Sequence, residues 1–176
     1  MQRKTGKRPS YRQAADLIRD AGGQVVGRTR LQKMAYFLEA AGLGDSFEFA
    51  YRHYGPYSEE LANAIRKAEL LDLLKDEERP TSWGGLYSTY SSEGQPSRNP
   101  AKARKDLISE TLNCNPIALE LAATALFLHS EGMKAPWEET SRRKPEKATS
   151  DMLEKAQELY MRVRQLQTPR RLPELN

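Results

Sequence analysis

The chain has 176 residues, 38% of them hydrophobic, and 28 lysines and arginines against 24 aspartates and glutamates. This length suits one domain with a sizeable core and leaves little room for two. No window approaches the roughly 18 to 20 apolar residues that cross a bilayer, and no apolar stretch follows the basic N-terminus as in a secretory signal, so we expect a cytoplasmic protein.

The cysteine and histidine content limits the chemistry. A single cysteine, Cys114, excludes an internal disulfide, and with only His53 and His129 beside it a zinc site has too few ligands. A carboxylate metal site stays open, but nothing in the sequence signals one, so no metal is predicted. The formal net charge of +4 is small, and residues 59 to 100 are acidic, so composition gives weak support for nucleic-acid binding, which needs clustered cations.

Two helices are predicted near the N-terminus. The first covers residues 11 to 21, with Ser10 as its N-cap. A short segment, Gln24-Val25-Val26, follows. The second helix has the stronger apolar periodicity of the two; Thr29 is expected to cap it and Gly42 to end it.

An aromatic strand and a third helix come next. Residues 47 to 54 alternate between aromatic and polar side chains, which predicts a short strand buried on one face. Gly55-Pro56 then turns the chain. Ser58 is expected to cap a helix whose first turn holds Glu59 and Glu60, where the helix dipole favours negative charge.

A β-hairpin is predicted after this helix. Residues 75 to 79 and 86 to 90 resemble two strands joined by a turn-rich loop. Three helices followed by such a hairpin is the order of elements in a winged helix. We therefore expect an α+β fold, mostly helical, with a winged-helix-like core, a small β-hairpin as its wing, and additional C-terminal helices.

The second half of the chain is predicted to be helical. Asn99-Pro100 and Asn115-Pro116 each suit an N-cap followed by proline at the first helical position. The predicted helices run over residues 100 to 113, 116 to 131, a short stretch near Trp137, and 150 to 166. The second of them is the most apolar and is expected in the core.

These elements suggest a single domain. We expect it to cover residues 10 to 166, with the winged-helix-like core at 10 to 90 and a helical extension at 100 to 166. Residues 1 to 9 and 167 to 176 are expected to be flexible tails.

Two motifs occur in order in the first half. One is Leu31-Gln32-Lys33 followed by Tyr36, and the other is Tyr54-Gly55-Pro56-Tyr57-Ser58 followed by Leu61; they span about 40 of the 176 residues. Together they resemble YwgA-like bacterial proteins, a family related to the Panacea (SocA-like antitoxin) domain, and a looser likeness continues through residues 137 to 145. The resemblance implies a winged-helix-like α+β core, no cofactor and, for the antitoxin branch, a small cytosolic protein that controls a toxic partner.

The motif at residues 54 to 58 has two interpretations. Tyr54, Tyr57, His53 and the amides at the start of the Ser58 helix could form a small polar pocket that grips a peptide end or a phosphate. Alternatively, the motif is a structural joint, in which Gly55-Pro56 sets the backbone and the tyrosine rings pack. We favour the structural interpretation, because a Gly-Pro joint before a capped helix is sufficient in itself.

The third helix would be the recognition helix of a DNA-binding winged helix. It offers Asn63, Arg66 and Lys67, but the acids on it and on the wing oppose phosphate about as strongly as the cations attract it. We therefore favour a non-catalytic regulatory or antitoxin-like protein that binds a protein partner, such as a toxin. The contact residues expected for this function are Tyr54, Tyr57, Glu59, Glu60 and Arg66.

The alternative is a DNA-binding winged-helix transcriptional regulator. Its expected contact residues are Arg28, Arg30, Lys33, Arg66 and Lys67. Catalysis is not expected: His129 ends an apolar helix, Cys114 has no motif around it, and no phosphate-binding loop occurs. The oligomeric state stays open.

Overall fold

The computed structural model describes residues 8–96 and 100–176, which form seven helices and five short strands. The helices are α1 (Ser10–Asp20), α2 (Arg28–Ala40), α3 (Glu59–Leu70), α4 (Lys102–Leu112), α5 (Pro116–Ser130), α6 (Pro136–Arg143) and α7 (Ser150–Gln165). The strands are β1 (Gln24–Val26), β2 (Ala50–Arg52), β3 (Gly55–Tyr57), β4 (Lys75–Pro80) and β5 (Leu86–Ser91). Among the described residues, no helix is long and apolar enough to cross a membrane.

The N-terminal half has the winged-helix order of elements, as predicted. Strands β4 and β5 form the antiparallel wing, in register from Lys75↔Ser91 to Pro80↔Leu86. Strand β1 joins the other side of β5 through Val25↔Tyr90, so the sheet order is β1-β5-β4. The sequence had left residues 24 to 26 without a strand partner; the pairing buries Val25 and makes the wing part of a three-stranded sheet.

The core is centred on α5, which is apolar around most of its circumference. It packs against α2, α6 and α7, while α1 packs against α3. A helix buried on nearly every side needs apolar residues at nearly every position, which explains the continuous apolar run that the sequence shows there. The C-terminal helices thereby complete one hydrophobic core with the winged-helix half.

Two of the predicted helix caps are confirmed and two are shifted. The Leu61 amide donates to Ser58 Oγ at 3.1 Å, and the Ile117 amide donates to Asn115 Oδ1 at 2.8 Å. In contrast, α1 includes Ser10, and α2 begins after Gly27, which has φ of 98°. Glycine tolerates that angle, so the helix starts earlier than the threonine predicts.

The start of α4 also differs from the prediction. The helix begins at Lys102, two residues after Pro100, with Ala101 at its N-cap. The predicted cap, Asn99, lies outside the described residues.

The predicted strand over 47 to 54 is instead a tight hairpin. Only Ala50–Arg52 is extended and paired, and its partner is Gly55–Tyr57, in register Arg52↔Gly55 and Ala50↔Tyr57. The chain therefore turns at His53 and Tyr54, and Gly55-Pro56 is the first part of the returning strand. Gly55 can occupy this place because it adopts φ of +90°, which other residues rarely adopt.

The C-terminal segment, for which the sequence predicts a loose tail, packs on the core. The Arg170 amide donates to the Ala41 carbonyl at 2.9 Å, and Tyr160 Oη donates to the Pro173 carbonyl at 2.7 Å. Leu172 is buried between these anchors. The segment has no helix or strand of its own, and it is held in place by the buried leucine and these two long-range hydrogen bonds.

Candidate functional site

The two sequence motifs contact each other directly. The Gln32 amide forms a reciprocal pair with the Ser58 backbone: Nε2 donates to the carbonyl at 3.0 Å, and Oε1 accepts from the amide at 2.8 Å. Lys33 Nζ donates to the Pro56 carbonyl at 2.7 Å. The polar residues of the first motif therefore hold the backbone of the second, which places the β2–β3 hairpin against α2.

A charged group lies beneath this hairpin, buried except for Lys147, whose side chain is 34% exposed. We call its four residues, Lys33, Glu120, Lys144 and Lys147, the lysine–glutamate cluster. Glu120 on α5 accepts from Lys144 Nζ at 2.8 Å and from Lys147 Nζ at 2.8 Å. Lys144, just after α6, also donates to the His53 carbonyl at 3.3 Å. Lysine side chains from distant parts of the chain thus bond the hairpin backbone in its turn, at His53, and in its second strand, at Pro56.

Burial changes the acid–base behaviour of Lys33. Its side chain is 1% exposed, and removal from water lowers the pKa of its ammonium group to about 7. Lys144 and Lys147 lower this pKa further, whereas Glu120 opposes the shift. Lys33 is therefore a buried structural donor and is not the surface cation expected for nucleic-acid binding.

The pKa of Lys33 predicts how stability depends on pH. Between about pH 7 and pH 10.5 the unfolded chain binds a proton at Lys33 that the folded chain does not. The free energy of unfolding should therefore rise with pH, by at most about 1.4 kcal/mol per unit. Urea titrations from pH 7 to 8.5 measure this slope. At higher pH the raised pKa of the Cys114 thiol contributes a decrease of the free energy of unfolding with pH, which would mask the effect of Lys33.

Lys33→Met is the control for this pH dependence. Methionine has a similar length and no titrating group, so the rise attributable to Lys33 should disappear. An unchanged slope in the methionine variant would show that other groups cause the pH dependence.

A groove lies between the β2–β3 hairpin, the start of α2 and the beginning of β5. It has a volume of about 730 Å³, and we call it the wing groove. Its lining consists of Val26, Gly27, Arg28, Thr29, Arg30, Gln32, Lys33, Tyr54, Tyr57, Glu78, Leu86, Tyr87, Ser88 and Pro116. Four large apolar side chains in this lining are well exposed: Val26 by 48%, Tyr54 by 53%, Leu86 by 68% and Tyr87 by 37%.

A smaller cleft of about 140 Å³ adjoins the wing groove on the α3 side. Tyr57 and Arg28 line both cavities, and Arg66 and Asp76 line the cleft. The two cavities therefore share one wall, and a partner that fills the groove would meet the inner edge of α3.

The residues expected to contact a protein partner are divided by the fold. Tyr54 and Tyr57 line the wing groove, and Arg66 lines the cleft beside it. Glu59 and Glu60 are exposed on the first turn of α3 and line neither cavity. The aromatic pair and the acidic pair are thus two neighbouring surfaces.

The residues expected for DNA binding do not form one strip. Arg28 lines the groove, but Arg30 donates to the Thr111 and Cys114 carbonyls at 2.5 and 3.0 Å, at the end of α4. Lys67 lies over the ring of Tyr11 on α1, with Nζ 5.1 Å from the ring centroid. The fold therefore separates these cations, and only part of the set faces a common surface.

Carboxylates of the wing accompany two arginines near the wing groove, Arg28 on α2 and Arg79 on β4. Arg28 pairs with Glu78 at 3.5 Å, and Arg79 pairs with Glu77 at 3.1 Å. Exposed acids also lie along α3, at Glu59, Glu60 and Glu69. A phosphate backbone approaching this face would meet negative charge beside each of these arginines.

Sequence reasoning missed several residues of the site. Leu86, Tyr87 and Val26 read as ordinary strand residues, because an exposed apolar side chain cannot be told from a buried one in a short strand. Glu120 did carry a signal: a carboxylate within the most apolar helix must find a buried partner. Its partners, Lys144 and Lys147, lie in a segment with no local pattern that points to α5.

Cys114, just after the end of α4, is a half-buried free thiol. Burial raises the pKa of the Cys114 thiol, with the Arg30 guanidinium opposing the shift, and a thiol is less nucleophilic than a thiolate. Over residues 8–96 and 100–176, no group of three or more His, Cys, Asp or Glu side chains is placed to hold a metal ion.

The described residues thus form a mostly helical α+β fold with a winged-helix-like order of elements in its N-terminal half and an apolar groove beside the wing. No family model matches the chain. A segment of 47 residues, 27% of the chain, is 43% identical to a DNA ADP-ribosyl glycohydrolase from Thermus aquaticus. The matched segment spans only 13% of that protein.

Proposed function

We propose that this chain is a non-catalytic, antitoxin-like regulatory protein that acts by binding a protein partner through the wing groove. The observation that carries the proposal is the concentration of Val26, Tyr54, Leu86 and Tyr87, all exposed, on one concave surface. Contiguous apolar side chains left open to water are typical of protein interaction sites. Tyrosine is also among the residues that contribute most at interfaces.

The charges beside the groove support a protein partner over DNA. Arg28 and Arg79 are each paired with a carboxylate of the wing, and Glu59 and Glu60 head α3. A protein surface can match such mixed charges group by group, whereas a duplex presents only phosphates to them.

The resemblance of the two sequence motifs supports this proposal. The motifs at residues 31 to 36 and 54 to 61 resemble the YwgA-like relatives of the Panacea antitoxin domain. The match to the DNA ADP-ribosyl glycohydrolase suggests that a related segment also occurs as a small part of a larger protein. We do not extend glycohydrolase activity to this chain, because the match leaves 87% of that relative uncovered.

Leu86→Asp tests the proposal. The side chain is exposed, so the charge should leave the fold intact, but it would place a carboxylate in the apolar part of the groove. We expect the complex with the natural partner, purified from the source cell and reconstituted, to weaken at least about tenfold. Affinity is measured by calorimetry with both purified components.

Leu70→Asp is the matched control. Leu70 is also exposed, but it lies at the end of α3 and lines neither cavity. Its variant should bind normally. If Leu86→Asp binds as well as Leu70→Asp, the groove is not the partner site; Glu59→Lys with Glu60→Lys then tests the neighbouring acidic surface.

The winged-helix order of elements favours one second candidate, a DNA-binding regulator that uses Arg28 and Arg66. This function predicts duplex binding that falls steeply with salt and weakens in Arg28→Ala. Arg52→Ala, on the exposed strand β2, is the control. A duplex titration without binding at low salt would exclude this candidate.

A further inference from the structure

Strand β5 has an open backbone edge inside the wing groove. The Gly27 amide donates to the Ser88 carbonyl at 2.8 Å, and the Ser92 amide donates to the Gly23 carbonyl at 3.0 Å, so residues 88 and 92 face β1. Successive residues of a strand direct their N–H and C=O groups to alternate sides. The backbone of Leu86 therefore also faces the β1 side.

No strand of the described residues reaches Leu86 from that side. Strand β1 ends at Val26, and after Gly27 the chain enters α2 and turns away from β5. Leu86 lines the wing groove, so its unpaired N–H and C=O groups border the cavity. Such an edge is a template for an added strand.

The side chains around this edge suit an extended segment with apolar residues. Leu86 and Tyr87 come from β5, Val26 from β1, and Tyr54 from the turn of the β2–β3 hairpin across the groove. Because side chains of a strand alternate, a bound segment would direct every second residue toward the groove wall and the others toward its floor or the solvent.

The charge of the groove determines which polar residues the bound segment is expected to carry. Arg28 and Arg30 add two positive charges to the lining against the one carboxylate of Glu78, although Arg28 pairs with Glu78 at 3.5 Å and Arg30 bonds the carbonyls at the end of α4. Lys33 is buried beneath the hairpin, with its pKa lowered to about 7, and adds little. The first turn of α2 also faces the groove, and it contains no acidic side chain. This positive balance favours acidic residues in whatever binds.

We propose that the wing groove binds an extended segment of the partner, in which acidic residues alternate with apolar ones and one residue pairs with the backbone of Leu86. The proposal rests on the proposed protein-binding function and specifies the kind of partner segment. The bound strand would continue the sheet on the side where β1 ends.

A random 12-residue peptide library displayed on phage, selected on the immobilised full chain, tests this proposal. We expect enriched peptides with aspartate or glutamate between apolar positions. One enriched peptide is then synthesised, and its affinity is measured by fluorescence anisotropy. Arg28→Glu should weaken it at least about tenfold, whereas Arg52→Glu, the same change outside the groove, should not.

Leu86→Pro tests the backbone pairing separately. Proline removes the Leu86 N–H, which faces away from β4, so the wing keeps its hydrogen bonds while the added strand loses one. Leu86→Ala shortens the side chain and keeps the N–H. We expect the proline variant to bind the peptide more weakly than the alanine variant.

Three results would overturn the proposal: no enriched peptide, enrichment of basic peptides, or binding that is insensitive to Arg28→Glu and Leu86→Pro. The effect of Leu86→Asp on the complex with the natural partner distinguishes failure of this proposal from failure of the proposed function. If Leu86→Asp still disrupts that complex, the groove binds a protein by another mode. If the complex survives, both proposals fail.

Discussion

Gly55→Ala should lower the free energy of unfolding by about 3 kcal/mol, the sum of a strained backbone and an overpacked contact. Gly55 has φ of +90°, and a Cβ there would lie 2.5 Å from Thr124 Oγ1. Thr124 is fully buried on α5, and its hydroxyl donates to the Glu120 carbonyl. Neither the hairpin nor the helix can move away cheaply. Chemical denaturation of the purified variant measures the loss.

Gly84→Ala separates the two contributions. Gly84, in the loop of the wing, has φ of +89° but nothing within 4 Å of an added Cβ. It should therefore lose only the backbone part, about 1 kcal/mol. Adding Thr124→Ala to Gly55→Ala should recover part of the loss, because it removes the oxygen that the new methyl group meets. Equal losses at Gly55 and Gly84 would show that the contact with Thr124 is unimportant.

Glu120→Gln should destabilise the protein by about 3 kcal/mol, because it removes the carboxylate from a buried ion pair and leaves the cations uncompensated. Glu120 is 4% exposed, and it accepts hydrogen bonds from Lys144 and Lys147. Its charge also raises the pKa of Lys33, so the variant should lower that pKa below about 7. Denaturation at constant pH measures the loss, and the pH dependence described above measures the shift.

Glu139→Gln is the matched control on the surface. Glu139 also binds two cations, Arg142 and Arg143, and these hold the pKa of its carboxyl at about 2. Glu139 is half-buried, but its partner Arg142 is 73% exposed and Arg143 32%, so water can solvate both arginines once the carboxylate is gone. This variant should therefore change stability less than Glu120→Gln. Similar losses in the two variants would contradict the importance that we assign to burial.

The lysine–glutamate cluster also affects the candidate site. Lys33 and Lys144 bond the hairpin backbone at Pro56 and His53, on either side of Tyr54. Lys147 lies over the ring of Tyr54, with Nζ 4.7 Å from the centroid. The cluster therefore fixes one wall of the wing groove, and variants that disrupt it should weaken partner binding without altering any other groove residue.

The motif at residues 54 to 58 has a structural explanation in these contacts. Gly55 is required by its backbone angle and by Thr124, Pro56 presents a carbonyl to Lys33, and Ser58 caps α3 while pairing with Gln32. Only the two tyrosines direct side chains to the wing groove. The structural and functional interpretations therefore apply to different residues of one motif.

Local patterns in the sequence determined the kinds of element and their order. The caps at Ser58 and Asn115, the periodicity of α2 and α5, and the hairpin of the wing follow from neighbouring residues, whose spacing decides helix or strand directly. The winged-helix order was predictable for the same reason. Tyr54 and Tyr57, expected to contact a protein partner, and Arg28, expected to contact DNA, line the groove or the cleft, and their contacts stay predictions.

Tertiary structure alone decided which side chains meet. Lys33 looked like a surface cation, and its burial follows from contacts with Pro56 and the region of Glu120, which no local pattern encodes. Lys144 bonds the His53 carbonyl across 91 positions of sequence. The groove likewise joins four separate parts of the chain: residues 26 to 33, the β2–β3 hairpin, the wing and Pro116. Helix and strand periodicity reports one segment at a time, whereas burial, ion pairing and cavity shape depend on how distant segments pack.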